Sequence, residues 1–333
     1  MENHSGKKYS KVLITGGAGF IGSYLSRKFL ETGAEVHIID NLTTGSMKNV
    51  PEHPLVHFYK GSIMDKPFLD SLSHHNFDLI VHLASIVGMK LATTLHDLVY
   101  DTATTGTLNV MRAYKNVPAV LFSSSAVYGM KNKTAVREDQ TVSFEQLMEY
   151  DGWHYGYANG KWDMEQIGIR ESRIGRKVMV VRPFNVIGNG QVETYGMVVP
   201  TFVKNALAGK PLTVLNDGNQ VRSFSSVRAF SECFFKLIEH DDMFAYGSNV
   251  VNIGSPNGSS INDLARIVLE ETHSGSPTTF HKYEEFFPDH QDVYYRVPDT
   301  SYGSKYFGDV KWPTLRDIVK DIIDSSQFNN NAN

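Results

Sequence analysis

Lys11-Val-Leu-Ile-Thr-Gly16-Gly-Ala-Gly19-Phe-Ile-Gly22 is an apolar run that breaks directly into three spaced glycines. Val12, Leu13 and Ile14 read as a buried parallel strand, because a strand covered on both faces has no polar face to alternate with. Beyond the glycines an amphipathic segment carrying Phe20, Ile21, Leu25, Phe29 and Leu30 runs to Gly33, a natural helix stop. A strand that turns sharply into a helix lets bare backbone approach a pyrophosphate, whose charge the helix N-terminus favours. The next strand, Glu35-Val-His-Ile-Ile, ends at Asp40. A carboxylate there can accept both hydroxyls of an adenosine ribose and repels a 2′-phosphate. The loop from Asn41 to Ser46 holds no arginine to offset that repulsion, so the expected cofactor is NAD. Three glycines alone are a weak signal; strand, glycines, helix, strand and acid in this order are a strong one.

Outward from this unit the pattern repeats. Leu55–Tyr59, Asp78–Ala84, Ala119–Phe122 and Lys177–Pro183 read as further strands, with helical segments between them that begin near Asp65, Asp101 and Tyr157. Strands alternating with helices at this spacing predict βαβ units and a doubly wound parallel sheet. Ligands of such sheets sit outside the strands' carboxyl ends, where Gly61-Ser-Ile63, Ala84-Ser85 and Ser123-Ser-Ser-Ala-Val-Tyr-Gly129 lie. After Pro183 the pattern changes. Residues 184–227 and 254–326 are expected to build a smaller C-terminal α/β lobe, while 228–253 return to the first domain, 11–183, with a helix and a seventh strand at Asn249–Ile253.

Tyr157 and Lys161, four apart on an expected helix, share a face. A cation beside a phenol stabilises the phenolate, which lowers its pKa and lets it act as a base. Tyr155 is the rival phenol; it has Asn159 rather than a lysine four residues on, so it reads as a pocket wall.

The 333 residues carry a net charge of -4, which gives no electrostatic case for nucleic acid or an anionic membrane. A single cysteine, Cys233, in an apolar helical stretch reads as a core residue and fits a reducing cytoplasm. No apolar run is long enough to span a bilayer, and no metal-ligand motif stands out. Residues 1–10 and 327–333 are expected to be a disordered extension and tail.

These motifs resemble the extended short-chain dehydrogenase/reductase family, in particular its NAD-dependent nucleotide-sugar epimerases and dehydratases. The resemblance covers about residues 11 to 325 and adds His82-Leu-Ala84, Arg182-Pro-Phe-Asn-Val186, Tyr195-Gly-Met-Val-Val-Pro200, Pro211-Leu-Thr-Val, Asn252-Ile-Gly254 and Arg296-Val-Pro-Asp299 to the motifs above. It implies that Tyr157 is the base, that Lys161 anchors the nicotinamide ribose, and that Ser124 hydrogen-bonds the reacting hydroxyl. It places NAD against Gly16, Gly19, Phe20, Ile21, Gly22, Asp40, Asn41, Ser62, Ile63, Leu83, Ala84, Ser85 and Pro183, together with Tyr157 and Lys161. It places the substrate against Ser124, Ser125, Asn185, Val199, Arg222 and Arg296, with the two arginines as partners of its pyrophosphate.

The departures concern the reaction. Dehydratases of the family carry an acid pair after the catalytic hydroxyl, and the related decarboxylases carry a Glu in that loop; Ser125 and Ala126 stand there in this chain. Ser62 replaces the usual acid beside the adenine, Ile187 a usual tyrosine, and Ser223 and Ser225 commoner residues after Arg222. The resemblance then implies 4-epimerisation of a nucleoside-diphosphate sugar, such as a UDP-hexose or UDP-hexuronic acid, through a 4-keto intermediate, by a cytoplasmic homodimer. The alternatives are a dehydratase, decarboxylase or keto-sugar reductase using the same Tyr and Lys, and a non-catalytic dinucleotide sensor.

Overall fold

The computed structural model describes residues 8–140, 155–193, 196–287 and 292–330. The expected parallel sheet is present. Its strands are β1 (Lys11–Thr15), β2 (Glu35–Asp40), β3 (Val56–Lys60), β4 (Leu79–His82), β5 (Ala119–Phe122) and β6 (Val178–Pro183). The chain then leaves through β7 (Val186–Ile187), β8 (Leu212–Leu215), β9 (Val221–Ser223) and β10 (Ser225–Ser226), and returns with β11 (Val250–Ile253). The seven-stranded order is β11-β6-β5-β4-β1-β2-β3, every neighbouring pair parallel. The order reverses between β1 and β4, which opens a crevice at their carboxyl ends.

Alternation along each strand splits the core into two layers. Val12 and Ile14 face one side, with Val36, Ile38, Val81, Val120 and Val181, against Phe29 of the helix Phe20–Glu31 and Phe230 and Phe234 of the helix Val227–Ile238. Leu13, Ile39, Ile80, Leu121 and Val180 face the other, under Val110, Met111 and Met164. Cys233 is buried in the first layer, as its apolar neighbours suggest. A third core belongs to the second lobe: Phe202, Val203, Leu212, Val214, Leu264, Val268 and Val319. Around it β12 (Gly258–Ser260) pairs with β9, β13 (Thr278–His281) with β8, and β14 (Tyr295–Arg296) with β9.

Several boundaries differ from the sequence expectation. Residues 8–10 of the expected disordered extension are tied down: the Tyr9 hydroxyl donates to the Ile238 carbonyl at 2.9 Å, and the Ser10 amide to Asp78 at 2.8 Å. Residues 1–7 and 331–333 lie outside the described residues, but the last helix, Leu315–Asn330, reaches into the expected tail. The helix expected from Asp101 starts earlier and is broken, running His96–Asp101, a π-helical turn at Thr102–Gly106, then Thr107–Ala113. A second π turn, Tyr155–Asn159, precedes the helix Gly160–Arg173, so Tyr157 lies in a widened turn rather than in regular α-helix. Such turns concentrate at functional sites.

Candidate active site

Gly16 takes φ +75°, open to glycine at little cost, and a Cβ there would meet the Ala84 backbone nitrogen at 2.7 Å. A Cβ on Gly22 would meet the Gly16 carbonyl oxygen at 2.3 Å. The first glycine therefore lets β1 turn against the end of β4, and the third lets the helix start against that turn. Gly19 is the least crowded, with only the Gly16 oxygen near, at 3.2 Å from its virtual Cβ. Asp40, at the end of β2, accepts from the Ala18 amide at 3.1 Å and the Leu42 amide at 2.8 Å. Burial raises its pKa and these two amides oppose the rise. The loop after Asp40 is clasped to the glycine turn by the Ser46 amide and the Asn49 side chain, both donating to the Ala18 carbonyl.

Ser62, Ile63, Leu83, Ala84 and Ser85 follow β3 and β4 at the same sheet edge. Ile63 is buried, and the Ser85 hydroxyl is buried without a hydrogen-bond partner among the described residues. A cradle that any Cβ would fill, an acid fixed at the end of β2 and an orphaned hydroxyl are what a dinucleotide would satisfy. The residues present fit that group.

One strand over, β5 ends in the three serines. Ser124 accepts from the Ala126 amide at 3.1 Å, which starts a 3₁₀ turn over Ser125–Tyr128. Its hydroxyl also hydrogen-bonds the Tyr157 phenol. Burial raises the Tyr157 pKa, and the Ser124 contact pulls it part of the way back. This corrects the expectation that Lys161 sets a low phenol pKa by proximity. The Lys161 ammonium instead donates to the Phe122 carbonyl at 2.7 Å, and burial pulls its pKa down to about 7 against the charge of Glu165. Serine, phenol and lysine thus meet at the end of β5, beside the glycine cradle. The side chain of Tyr155, the rival phenol, lies outside the described residues.

The expected substrate residues fall into three situations. Asn185 is exposed after β6, with φ +31°, a strained value that the Ser225 amide helps to hold by donating to its carbonyl. Val199 is 1 % exposed in the second-lobe core, so its side chain is packing and only its backbone could meet a ligand. Arg222 and Arg296 pair in register on β9 and β14, and the Arg222 pKa is lowered by burial and, against Asp292, by the Arg296 charge. Arg222 holds Asp292 at 2.8 Å. Arg296 donates to the carbonyls of Ser125 at 2.7 Å and Gly129 at 2.5 Å, and its Nε is buried without a partner among the described residues. Arg296 therefore ties β14 to the serine loop after β5. Tyr195 of the quoted motif lies outside the described residues.

Residues 12–254 match the model of the NAD dependent epimerase/dehydratase family. The chain belongs to that family. UDP-N-acetyl-alpha-D-glucosaminuronate decarboxylase of Bacillus cytotoxicus is 31% identical over 302 residues, 87% of this chain and 89% of the relative. UDP-glucuronic acid decarboxylase 6 of Arabidopsis thaliana is 31% identical over 305 residues, covering 90% and 83% of the two chains. Among solved structures, the UDP-glucose 4-epimerase of Thermotoga maritima with UDP-glucose superposes with a TM-score of 0.84 at 24% identity, covering 96% and 99%. As a member of this epimerase/dehydratase family the chain is an NAD-dependent enzyme that modifies nucleotide sugars. No helix of the described residues is long and apolar enough to cross a membrane.

Two features of this family member escaped the sequence reading. His82, quoted only as part of a motif, is buried between Thr15 (2.7 Å) and Thr107 (3.0 Å), and burial, with the Lys161 charge, drives its pKa down to about 3. It is a neutral strut joining β1, β4 and the helix Thr107–Ala113. One helical turn after Lys161, Glu165 binds Arg182 through Nε at 2.9 Å and NH2 at 2.7 Å, and also accepts from the Ser123 hydroxyl. Arg182 goes on to the Tyr128 hydroxyl at 2.8 Å, which donates to Asn252 at 2.7 Å. Glu165 lies four residues after Lys161, a spacing that was legible, but its partner on β6 becomes visible only in the fold.

Proposed function

We propose that this enzyme epimerises a UDP-sugar at C4 through a 4-keto intermediate. Tyr157 takes the proton of the C4 hydroxyl, which Ser124 orients through the hydroxyl it already shares with the phenol. Lys161, held by the Phe122 carbonyl at the end of β5, is placed to anchor the nicotinamide ribose. NAD, held by Asp40 and the glycine turn, would supply the hydride acceptor and donor at C4. Arg222, Arg296 and Asn185 hold the pyrophosphate while the keto sugar turns, and Tyr157 then gives the proton back. Asp40 and the Gly16–Gly22 turn hold the dinucleotide. We place the dimer contact on the helices Thr107–Ala113 and Gly160–Arg173, in the segments near 101–115 and 157–170.

The observation that carries the choice of reaction is the loop Ser123–Ala126, which offers hydroxyls and no titratable acid next to Tyr157. Removal of the C6 hydroxyl needs such an acid, whereas hydride and proton exchange at one carbon does not. A second reading, decarboxylation of a UDP-hexuronate, is favoured by the names of two relatives. A 4-keto hexuronate is a β-keto acid and loses carbon dioxide with only a proton needed at C5. Purified enzyme incubated in deuterated water with UDP-glucose, UDP-glucuronate and their N-acetylated counterparts decides the matter by NMR. Epimerisation gives the C4 epimer with C5 unlabelled. A pentose product with released carbon dioxide replaces this reading with decarboxylation, and a 6-deoxy-4-keto product replaces it with dehydration.

A further inference from the structure

At the amino edge of the sheet, the end away from the cofactor cradle, strand register assembles a constellation that sequence spacing does not display. Glu35 and His37 are two apart on β2 and so share a face. His57 lies directly opposite His37 on β3. Their donor atoms converge: His37 Nε2 lies 2.8 Å and His57 Nε2 3.2 Å from the same oxygen, Glu35 Oε1, and all three lie within 4.8 Å of one another. Tetrahedral ligands at about 2.0–2.1 Å from zinc sit about 3.3 Å from each other, so these atoms need shift little to share one ion.

We propose that Glu35, His37 and His57 form a divalent transition-metal site of zinc type, which would cross-link the edge strand β3 to β2.

The surroundings fit a metal better than a chance ion pair. His37 is buried, and its Nδ1 lies 3.0 Å from the Tyr59 hydroxyl, which in turn lies 3.3 Å from Nε2 of His75. A ligating histidine needs its other ring nitrogen held in this way, which fixes tautomer and ring orientation. When Nε2 turns to a metal, Nδ1–H donates to the Tyr59 oxygen and the Tyr59 O–H donates to His75. With His37 and His75 in their Nδ1–H tautomers, His37, Tyr59 and His75 each keep one proton and all three stay neutral. Lys11, paired in register with Glu35, sits 3.4 Å from the other carboxylate oxygen, Oε2, and leaves Oε1 to the ion. The His57 and Glu35 side chains are 42% and 31% exposed, so the ion has a path in, and water can complete its coordination.

The test uses the full-length enzyme stripped with chelator, at pH 7.5, where an ordinary imidazole is deprotonated. Zinc titration by calorimetry should find one ion per chain, and cobalt should give the visible absorption of a tetrahedral site. His57→Gln and Glu35→Gln, both solvent-accessible and foldable, should each weaken zinc at least tenfold and remove the cobalt bands. His74→Gln, a nearby exposed histidine outside the trio, should change neither. Zinc should raise the urea midpoint of the parent and not of His57→Gln. Parent and His57→Gln binding zinc equally overturns the proposal, as does a parent that takes up none or a loss of binding on His74→Gln.

Discussion

Replacing Glu165 by Gln removes one charge from a pair enclosed on every side. Glu165 is fully buried and Arg182 is 6% exposed. Burial works against the Arg182 charge, yet Glu165 outweighs it and holds the guanidinium pKa above its ordinary value. Glutamine keeps the shape and one acceptor oxygen but leaves the cation without its counter-charge. Breaking a buried pair from one side costs about 3–5 kcal/mol. For a chain of 333 residues that corresponds to a fall in Tm of roughly 4–7 °C. Urea unfolding followed by tyrosine and tryptophan fluorescence measures it, with the cofactor-saturated enzyme as a parallel series. The double variant Glu165→Gln with Arg182→Met removes the stranded charge and should recover part of the loss, giving a coupling energy of the sign expected for a direct pair. A single variant that unfolds within about 1 kcal/mol of the parent would refute the picture of a desolvated pair.

Further outcomes follow from the same geometry. Gly22→Ala forces a methyl within 2.3 Å of the Gly16 oxygen, so purified protein should carry little or no NAD, as read by mass spectrometry of denatured samples; full retention would show that the turn gives way elsewhere. Tyr157→Phe should lower turnover by roughly a hundredfold or more while cofactor content survives, and near-normal turnover would remove the phenol from the chemistry. Arg222→Ala should raise KM for the nucleotide sugar by about ten- to a hundredfold with kcat less affected, since one charge-assisted contact is worth about 1.5–3 kcal/mol; UDP affinity equal to the parent's would make Arg222 merely the partner of Asp292. His82 takes up a proton near pH 3 in the fold and near pH 6.5 when free. Below pH 6.5 the unfolded chain takes up a proton that the folded chain refuses. Stability is therefore full above that pH and is lost as pH falls, by up to about 1.4 kcal/mol per pH unit. Urea midpoints between pH 7 and 5 should show a shallower fall in His82→Gln than in the parent.

Much of this was legible in the residues because the signals were local. Val12-Leu-Ile14 has no polar position, so it had to be covered on both faces, and Gly16 and Gly22 occupy points where the fold has no room for a Cβ. Asp40 ends β2 because the strand ends there. What the sequence did not disclose depends on non-local pairing or desolvation. Spacing put Lys161 beside Tyr157, yet the Phe122 carbonyl takes up its ammonium, and burial rather than the lysine dominates the phenol's pKa. Val199 resembled a ligand contact in its motif, but the amphipathic helix that carries it turns it into the second-lobe core. Arg296 was read as a substrate arginine; which carbonyls it holds could be known only once β14 was set beside β9 and against the serine loop.

That last contact bears on how the protein is made. Arg296 reaches back 171 residues to the Ser125 carbonyl, so the serine loop cannot take its final form while the chain is still short. A ribosome adding roughly 5–20 residues per second needs about 10–30 s to cover that distance. During this interval the dinucleotide-binding half can already be folding, with its glycine turn complete. A nascent chain stalled before residue 296 should then retain NAD on the ribosome yet turn over no sugar nucleotide, and release of the last segment should switch on activity without a further change in cofactor content. Retention of NAD only after residue 296 emerges would show instead that both halves mature together.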